Sequence, residues 1–149
     1  MEVRVQTEDF DIAAEVLKLR RGNPKIGAVA CFIGLVRDMN ENATVAEMTL
    51  EHYPAMTEKA LRGIVEEANQ RWDIMDVLVV HRVGALKPMD QIVLVVVASA
   101  HRRAAFAACE FIVDYLKTKA PFWKKEKNEK GTHWVEARDN DDDAAQRWH

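Results

Sequence analysis

Cysteine is scarce in this chain and serine scarcer. Cys31 and Cys109 are the two cysteines, 109 − 31 = 78 positions apart in apolar surroundings and without a CxxC pair. That excludes a disulfide scaffold and a structural zinc site, and it suggests buried core thiols in a reducing compartment. Ser99 is the sole serine, and it stands between alanines, not in the glycine-flanked elbow that presents a hydrolase nucleophile. GxxxxGK[ST], GxGxxG and HExxH are all missing, which argues against nucleotide-cradling and zincin chemistry. The five histidines show no paired ligand spacing, so no metal and no cofactor is assigned. No stretch approaches the roughly 18 apolar residues that span a bilayer, and MEVRVQTEDFDIAAEV lacks a basic region followed by an apolar one. The expectation is a cytoplasmic protein. Lys and Arg number 21 against 24 Asp and Glu, a balance of −3, and aromatics make up 7%. That weakens a nucleic-acid or membrane-surface role, so any anion binding must be local.

What is present reads as one ordinary globular domain. Length and an apolar share of 48% suit a single core spanning 1–149, with the acidic stretch Asp139–Asp143 opening a flexible, solvated tail at 139–149. Val3 and Val5 alternate with polar residues as in a strand, and Asp9 or Asp11 can cap a helix from Ile12 to Arg21 that stops at Gly22-Asn23-Pro24. Gly27–Val36 suits a strand buried on both faces, and Asn40-Glu41-Asn42 a loop. Val45–Tyr53 alternates as the next strand. Pro54 then opens a helix whose apolar stripe is Met56, Ala60, Leu61, Ile64, Val65, Ala68 and Trp72. Val77–Val83 and Ile92–Ala98 are strands joined by a turn-rich link. Ala105, Cys109, Ile112, Val113 and Leu116 stripe a last helix that Pro121 ends. Phe122–Lys127 and His133–Ala137 are short strand candidates. The alternation favours an α+β domain with a mostly antiparallel sheet covered by helices.

Two features carry chemistry. In Ser99-Ala100-His101-Arg102-Arg103, Ser99 is placed as a helix N-cap, and two cations occupy a first turn where they oppose the helix dipole at about 0.3–1 kcal/mol each. Either an anion binds there, using free N–H groups and guanidiniums, or Arg102 and Arg103 pair with surface acids. From His101 to Lys130 there are eight Lys and Arg against four acids, a local balance of 8 − 4 = +4. If Lys117 and Lys124 face one pocket, repulsion and partial burial by Phe122 and Trp123 would lower an amine pKa and yield a base or nucleophile. Alternatively, lysines at a helix C-terminus serve the dipole alone. Arg37 and Arg138 are further cations at element ends.

The segments LEHYPAMTEKAL at 50–61, HRVG at 81–84, SAHR at 99–102, DYLKTKAPFWKKE at 114–126 and WVEAR at 134–138 occur in an order that resembles the MoaE family, the large catalytic subunit of molybdopterin synthase. The likeness runs from about Gly27 to Trp148. It implies an α/β hammerhead fold and a sulfurtransferase of molybdenum cofactor biosynthesis. The implied assembly is a heterotetramer in which the large subunit dimerises and a small ubiquitin-like sulfur carrier docks at each outer end. The carrier's C-terminal Gly-Gly thiocarboxylate would pass sulfur to cyclic pyranopterin monophosphate, forming the dithiolene of molybdopterin. By position, Lys117 and Lys124 match the family's catalytic lysines, Arg37, His101 and Arg102 its substrate-pocket residues, and Arg138 an arginine lent by the neighbouring subunit. Ala55 stands where the family's turn has Gly, and Leu35 where a polar residue is common. The competing reading is a non-catalytic scaffold that binds a ubiquitin-like partner or a small phosphorylated ligand.

Overall fold

Val77–Val80 and Val93–Ala98 are buried at every position, which a strand achieves only when both of its faces are covered. The computed structural model describes residues 1–40, 43–128, 131–135 and 139–149. Among these the chain runs β1 (Glu2–Gln6), α1 (Ile12–Arg20), β2 (Ala28–Leu35), β3 (Met39–Asn40), β4 (Ala43–His52), α2 (Pro54–Arg71) and β5 (Asp76–Arg82). It continues through β6 (Gly84–Leu86), β7 (Gln91–Ser99), α3 (Arg102–Lys119), β8 (Phe122–Asn128), β9 (Gly131–Val135) and α4 (Asp139–Gln146).

The first sheet has the order β1-β5-β7-β2. β1 lies parallel to β5, and the other pairs are antiparallel. Its odd-numbered valines, Val77, Val79, Val93, Val95 and Val97, pack beneath α2 and α3. Leu78, Val80, Leu94 and Val96 point the other way, onto Phe10 and the inner face of α1. Each such side chain contributes roughly 1.5–3 kcal/mol on full burial, so the double covering explains why these strands are apolar at every position. The second sheet has the order β3-β4-β8-β9, with β6 also paired to β4. Met48, Leu50 and Leu86 close its inner face against Val36 and Val83. The architecture is the expected single α+β domain of mostly antiparallel strands.

Local signals account for the element ends. The Asp11 carboxylate caps α1 by accepting the Ala14 N–H at 3.0 Å, and Pro54 occupies the first turn of α2, where a missing N–H costs nothing. On α2, Met56 is exposed and Thr57 is buried in its place. The Thr57 hydroxyl donates to the Pro121 carbonyl at 3.1 Å, a tertiary contact that overrides the stripe. Cys109 is buried as expected, but Cys31 is exposed because β2 is the open edge of its sheet. β6 lies in the link read as a turn. Asn40 ends β3 instead of starting a loop, and 41–42 lie outside the described residues.

The segment 139–149, expected as a solvated tail, is helical over Asp139–Gln146 and docked. Ala145 is buried, and Trp148 meets Trp72 and Phe111 edge-on with ring centroids 5.5 and 5.7 Å away. The Trp148 indole N–H donates to Asp114 at 2.7 Å, and Arg147 pairs with Asp114 and Glu110. The acidic run masks an apolar pair at helical spacing, Ala145 and Trp148.

Met89 adopts a left-handed φ of +79° at the tip of the Lys87-Pro88-Met89-Asp90 turn, where it is 86% exposed. With Pro at the second position and the Asp90 N–H donating to the Lys87 carbonyl at 3.0 Å, glycine suits the third position far better. Met89→Gly is expected to stabilise the fold by about 1 kcal/mol, read as a higher denaturant midpoint at unchanged m-value. A lower midpoint would show that the side chain makes a contact of value.

Candidate active site

Only Ala100 and His101 separate β7 from α3, so the helix turns straight back across the sheet and packs on β7 and β2. α3 therefore begins beside the end of β7 and finishes beside its start. β2 finishes there too, with Leu35 opposite Gln91, and β5 places His81 opposite Val93. Arg37, His81 and Lys117 thus share one end of the sheet, and β8 brings Lys124 to that end after the corner at Ala120-Pro121. Across the second sheet Lys124 stands opposite Leu50, which stands opposite Gly84, while Phe122 stands opposite His52.

His81 lies at the centre of this end. It is 5% exposed and lies flat on Phe122, with centroids 3.9 Å apart and planes 18° from parallel. His52 stacks more loosely on the same Phe122 ring at 6.4 Å. His81 Nδ1–H donates to the Arg82 carbonyl at 2.8 Å, which fixes the tautomer and leaves Nε2 as the bare nitrogen. Burial first, then the nearby charges of Lys117, Lys124 and His52, hold its pKa down to about 4 from the ordinary 6.5, against the opposing pull of the Arg82 carbonyl. The folded chain binds fewer protons than the unfolded one within that window. Its stability therefore falls as pH drops from 6.5 toward 4. The end of α3 and the start of β8 place Lys117 and Lys124 on the same side of the sheet as this ring. Both lysines are exposed positions, so among the described residues the burial expected to act on the amines is not found; the Trp123 side chain lies outside the described residues.

His101 and Arg102 occupy the opposite end. Lys117 and Arg102 are 117 − 102 = 15 positions apart on one helix, about 22 Å at 1.5 Å per residue, too far for both to touch one small ligand. His101, not Ser99, is the N-cap residue, and it makes no side-chain capping bond. Ser99 is the buried last residue of β7, and its hydroxyl donates to the Asp73 carbonyl at 2.9 Å. A Cβ on Gly27 would stand 2.3 Å from the Ala100 carbonyl oxygen, so only glycine lets β2 approach the chain just before His101 so closely. Among the described residues no carboxylate pairs with Arg37, Arg102, Arg103 or Lys117. The arginines that brace the fold are all paired, Arg4 with Glu15, Arg82 with Asp9 and Arg147 with Asp114. Both readings of Arg102 and Arg103 stay open on this geometry. Arg138 lies outside the described residues.

Reasoning from single residues overlooked His81, dismissed with the other unpaired histidines, and His52. The signal available was the HRVG segment itself, whose histidine continues the unbroken buried run Val77–Val80 within β5. Among the described residues no three His, Cys, Asp or Glu side chains gather as metal ligands, and no helix is long and apolar enough to cross a membrane.

Comparison with known proteins agrees over nearly the whole chain. The family model described as MoaE protein matches residues 5–119. A molybdopterin synthase catalytic subunit from Ralstonia nicotianae is 64% identical over 146 residues, covering 98% of this chain and 83% of the relative. The solved structure of a molybdopterin biosynthesis MoaE protein from Burkholderia ambifaria superimposes with a TM-score of 0.84 at 60% identity, covering 98% of this chain and 96% of the other. A complex of subunits 1 and 2 of molybdopterin-converting factor from Helicobacter pylori shares the fold, with a TM-score of 0.72 at 19% identity and 91% coverage of each chain.

Proposed function

This chain belongs to the MoaE family of molybdopterin synthase catalytic subunits, and we propose that within that enzyme, in the cytoplasm, it acts as a sulfurtransferase. It takes sulfur from the C-terminal thiocarboxylate of a small ubiquitin-like carrier subunit and delivers it to cyclic pyranopterin monophosphate, two carriers being consumed in turn to supply the two sulfurs of the molybdopterin dithiolene. The observation that carries this reading is the placement of Lys117 near the end of α3 and Lys124 on β8, on either side of the corner that seats Phe122 on the buried His81. Two ammonium groups from different elements beside a neutral ring make a place for an anionic tail, and a docked carrier would remove the water that screens them. Charge-assisted contacts strengthen under that exclusion. Lys117 and Lys124 position the thiocarboxylate and stabilise negative charge on the acyl intermediates, and Lys117 either moves a proton or accepts the acyl group transiently.

The phosphate of the pterin needs a cationic seat of its own. Arg37 stands at the lysine end of the chain, whereas His101 and Arg102 stand about 22 Å away along α3. One pocket can use all of them only if a second copy, related by a two-fold axis, lays the start of its α3 against the lysine end of the first. The active unit is then a dimer of this chain with two shared pockets, each fed by one carrier, a heterotetramer in all. Arg138 joins from the neighbouring copy in the same way. The two-subunit Helicobacter pylori complex is consistent with the docked carrier.

The deciding experiment supplies the chain with thiocarboxylated carrier and pyranopterin substrate and follows dithiolene formation. Product that appears only when all three are present supports the proposal. Tight carrier binding without product would make the chain a scaffold.

A further inference from the structure

The chain between the two lysines is short, and its ends belong to different layers. Lys117 sits near the end of α3, the backbone turns at Ala120-Pro121, and β8 delivers Lys124 five residues after the helix ends. Besides the pairing of β8 with β4, three contacts among the described residues hold this corner. The Phe122 N–H donates to the Ala120 carbonyl at 2.9 Å, which shapes the turn locally. Thr57 from α2 donates to the Pro121 carbonyl at 3.1 Å, and His81 from β5 lies on the Phe122 ring at 3.9 Å. The last two tie the corner to α2 and β5. Phe122 and Lys124 are two apart on a strand and so project from the same face. The plate that seats the phenyl ring therefore also sets where the neighbouring amine rises.

We propose that His81 is a positioning residue of the lysine site: stacked on Phe122 and tied to the Arg82 carbonyl, it fixes the corner between Lys117 and Lys124 and with it the spacing of the two amines. The inference rests on the functional reading above for its kinetic consequence, though not for its structural one. Imidazole fits the task on two counts. It offers a flat face for the phenyl ring and an N–H for the carbonyl that ends β5. Buried against Phe122, with its N–H on the Arg82 carbonyl, it also stays uncharged, so it adds no third cation beside the lysines. A small error in the placement of a reacting group is costly, since a 1 Å displacement lowers rate by about a hundredfold.

The test uses the full-length chain and three substitutions. In the free chain, His81→Asn should shift the side-chain NMR signals of Phe122, Lys117 and Lys124 while leaving those around Trp148 in place, and His81→Phe, which restores a plate, should return them toward the original positions. In the complete assay, His81→Asn should lower kcat by roughly 10- to 100-fold with KM for both substrates changed by less than about threefold, and His81→Phe should recover most of the loss. Thr57→Val, which cuts the tie to α2, should lower kcat in the same manner and serves if the Asn variant folds poorly. Unmoved lysine signals in His81→Asn, or a kcat that follows only the folded fraction, would overturn the proposal. So would a His81→Phe variant no better than His81→Asn. Failure of the wild-type chain to make product at all would instead overturn the sulfur-transfer reading, and the NMR comparison would still judge His81.

Discussion

Lys117→Ala should reduce dithiolene formation to below about a hundredth of the wild-type rate while leaving carrier affinity within about threefold. The side chain is exposed, and among the described residues it pairs with no carboxylate, so its removal should change stability by no more than about 0.5 kcal/mol. A large kinetic loss in a chain that melts normally then locates the effect in the chemistry. Lys117→Arg separates charge stabilisation from the two roles, proton transfer and acyl acceptance, that need the amine itself. Guanidinium keeps the charge but does not give up a proton at any ordinary pH. If charge alone matters, arginine should restore a substantial part of the rate, whereas a proton or acyl transfer through the amine leaves arginine as inactive as alanine. Wild-type turnover in Lys117→Ala would remove this lysine from the mechanism.

Mixing two inactive chains should restore activity. Arg102→Ala damages the start of α3 and Lys117→Ala its end, and each homodimer carries two defective pockets. In a mixed dimer, pockets shared across the two-fold axis sort unequally. One takes both intact contributions, and the other takes both defects. Random exchange makes about half of all dimers mixed, each with one working pocket of two, so roughly a quarter of wild-type activity should return. A pocket built within one chain predicts none, because every pocket then holds one defect or the other. Arg102→Ala by itself should weaken the pterin substrate more than the carrier, and equal losses would make Arg102 a structural residue.

Much of this molecule can be read from residue order. The apolar run at Ile92–Ala98 announces a strand covered on both faces, and the stripe Ala105, Cys109, Ile112 and Leu116 announces α3 with its buried side. What escaped has physical causes in each case. β6 is three residues long, too short to show a period, and exists because β4 offers it an edge. Ala145 and Trp148 are outnumbered by neighbouring acids, and their value as a clasp depends on the hollow between Trp72 and Phe111. His81 looks like any isolated histidine until Phe122, which is 41 positions later, is laid over it.

Residue order alone determined the family, the α+β class and the identity of the cations, because segment order, hydrophobic period and side-chain chemistry are local properties. Tertiary structure alone decided which cations keep company. Lys117 and Lys124 come to the same end of the sheet because α3 turns back over it and β8 pairs with β4. Arg102, on the same helix as Lys117, is carried about 22 Å away by the rise of that helix. Neighbourhood in space follows from strand register and helix direction, which the spacing of residues along the chain does not encode.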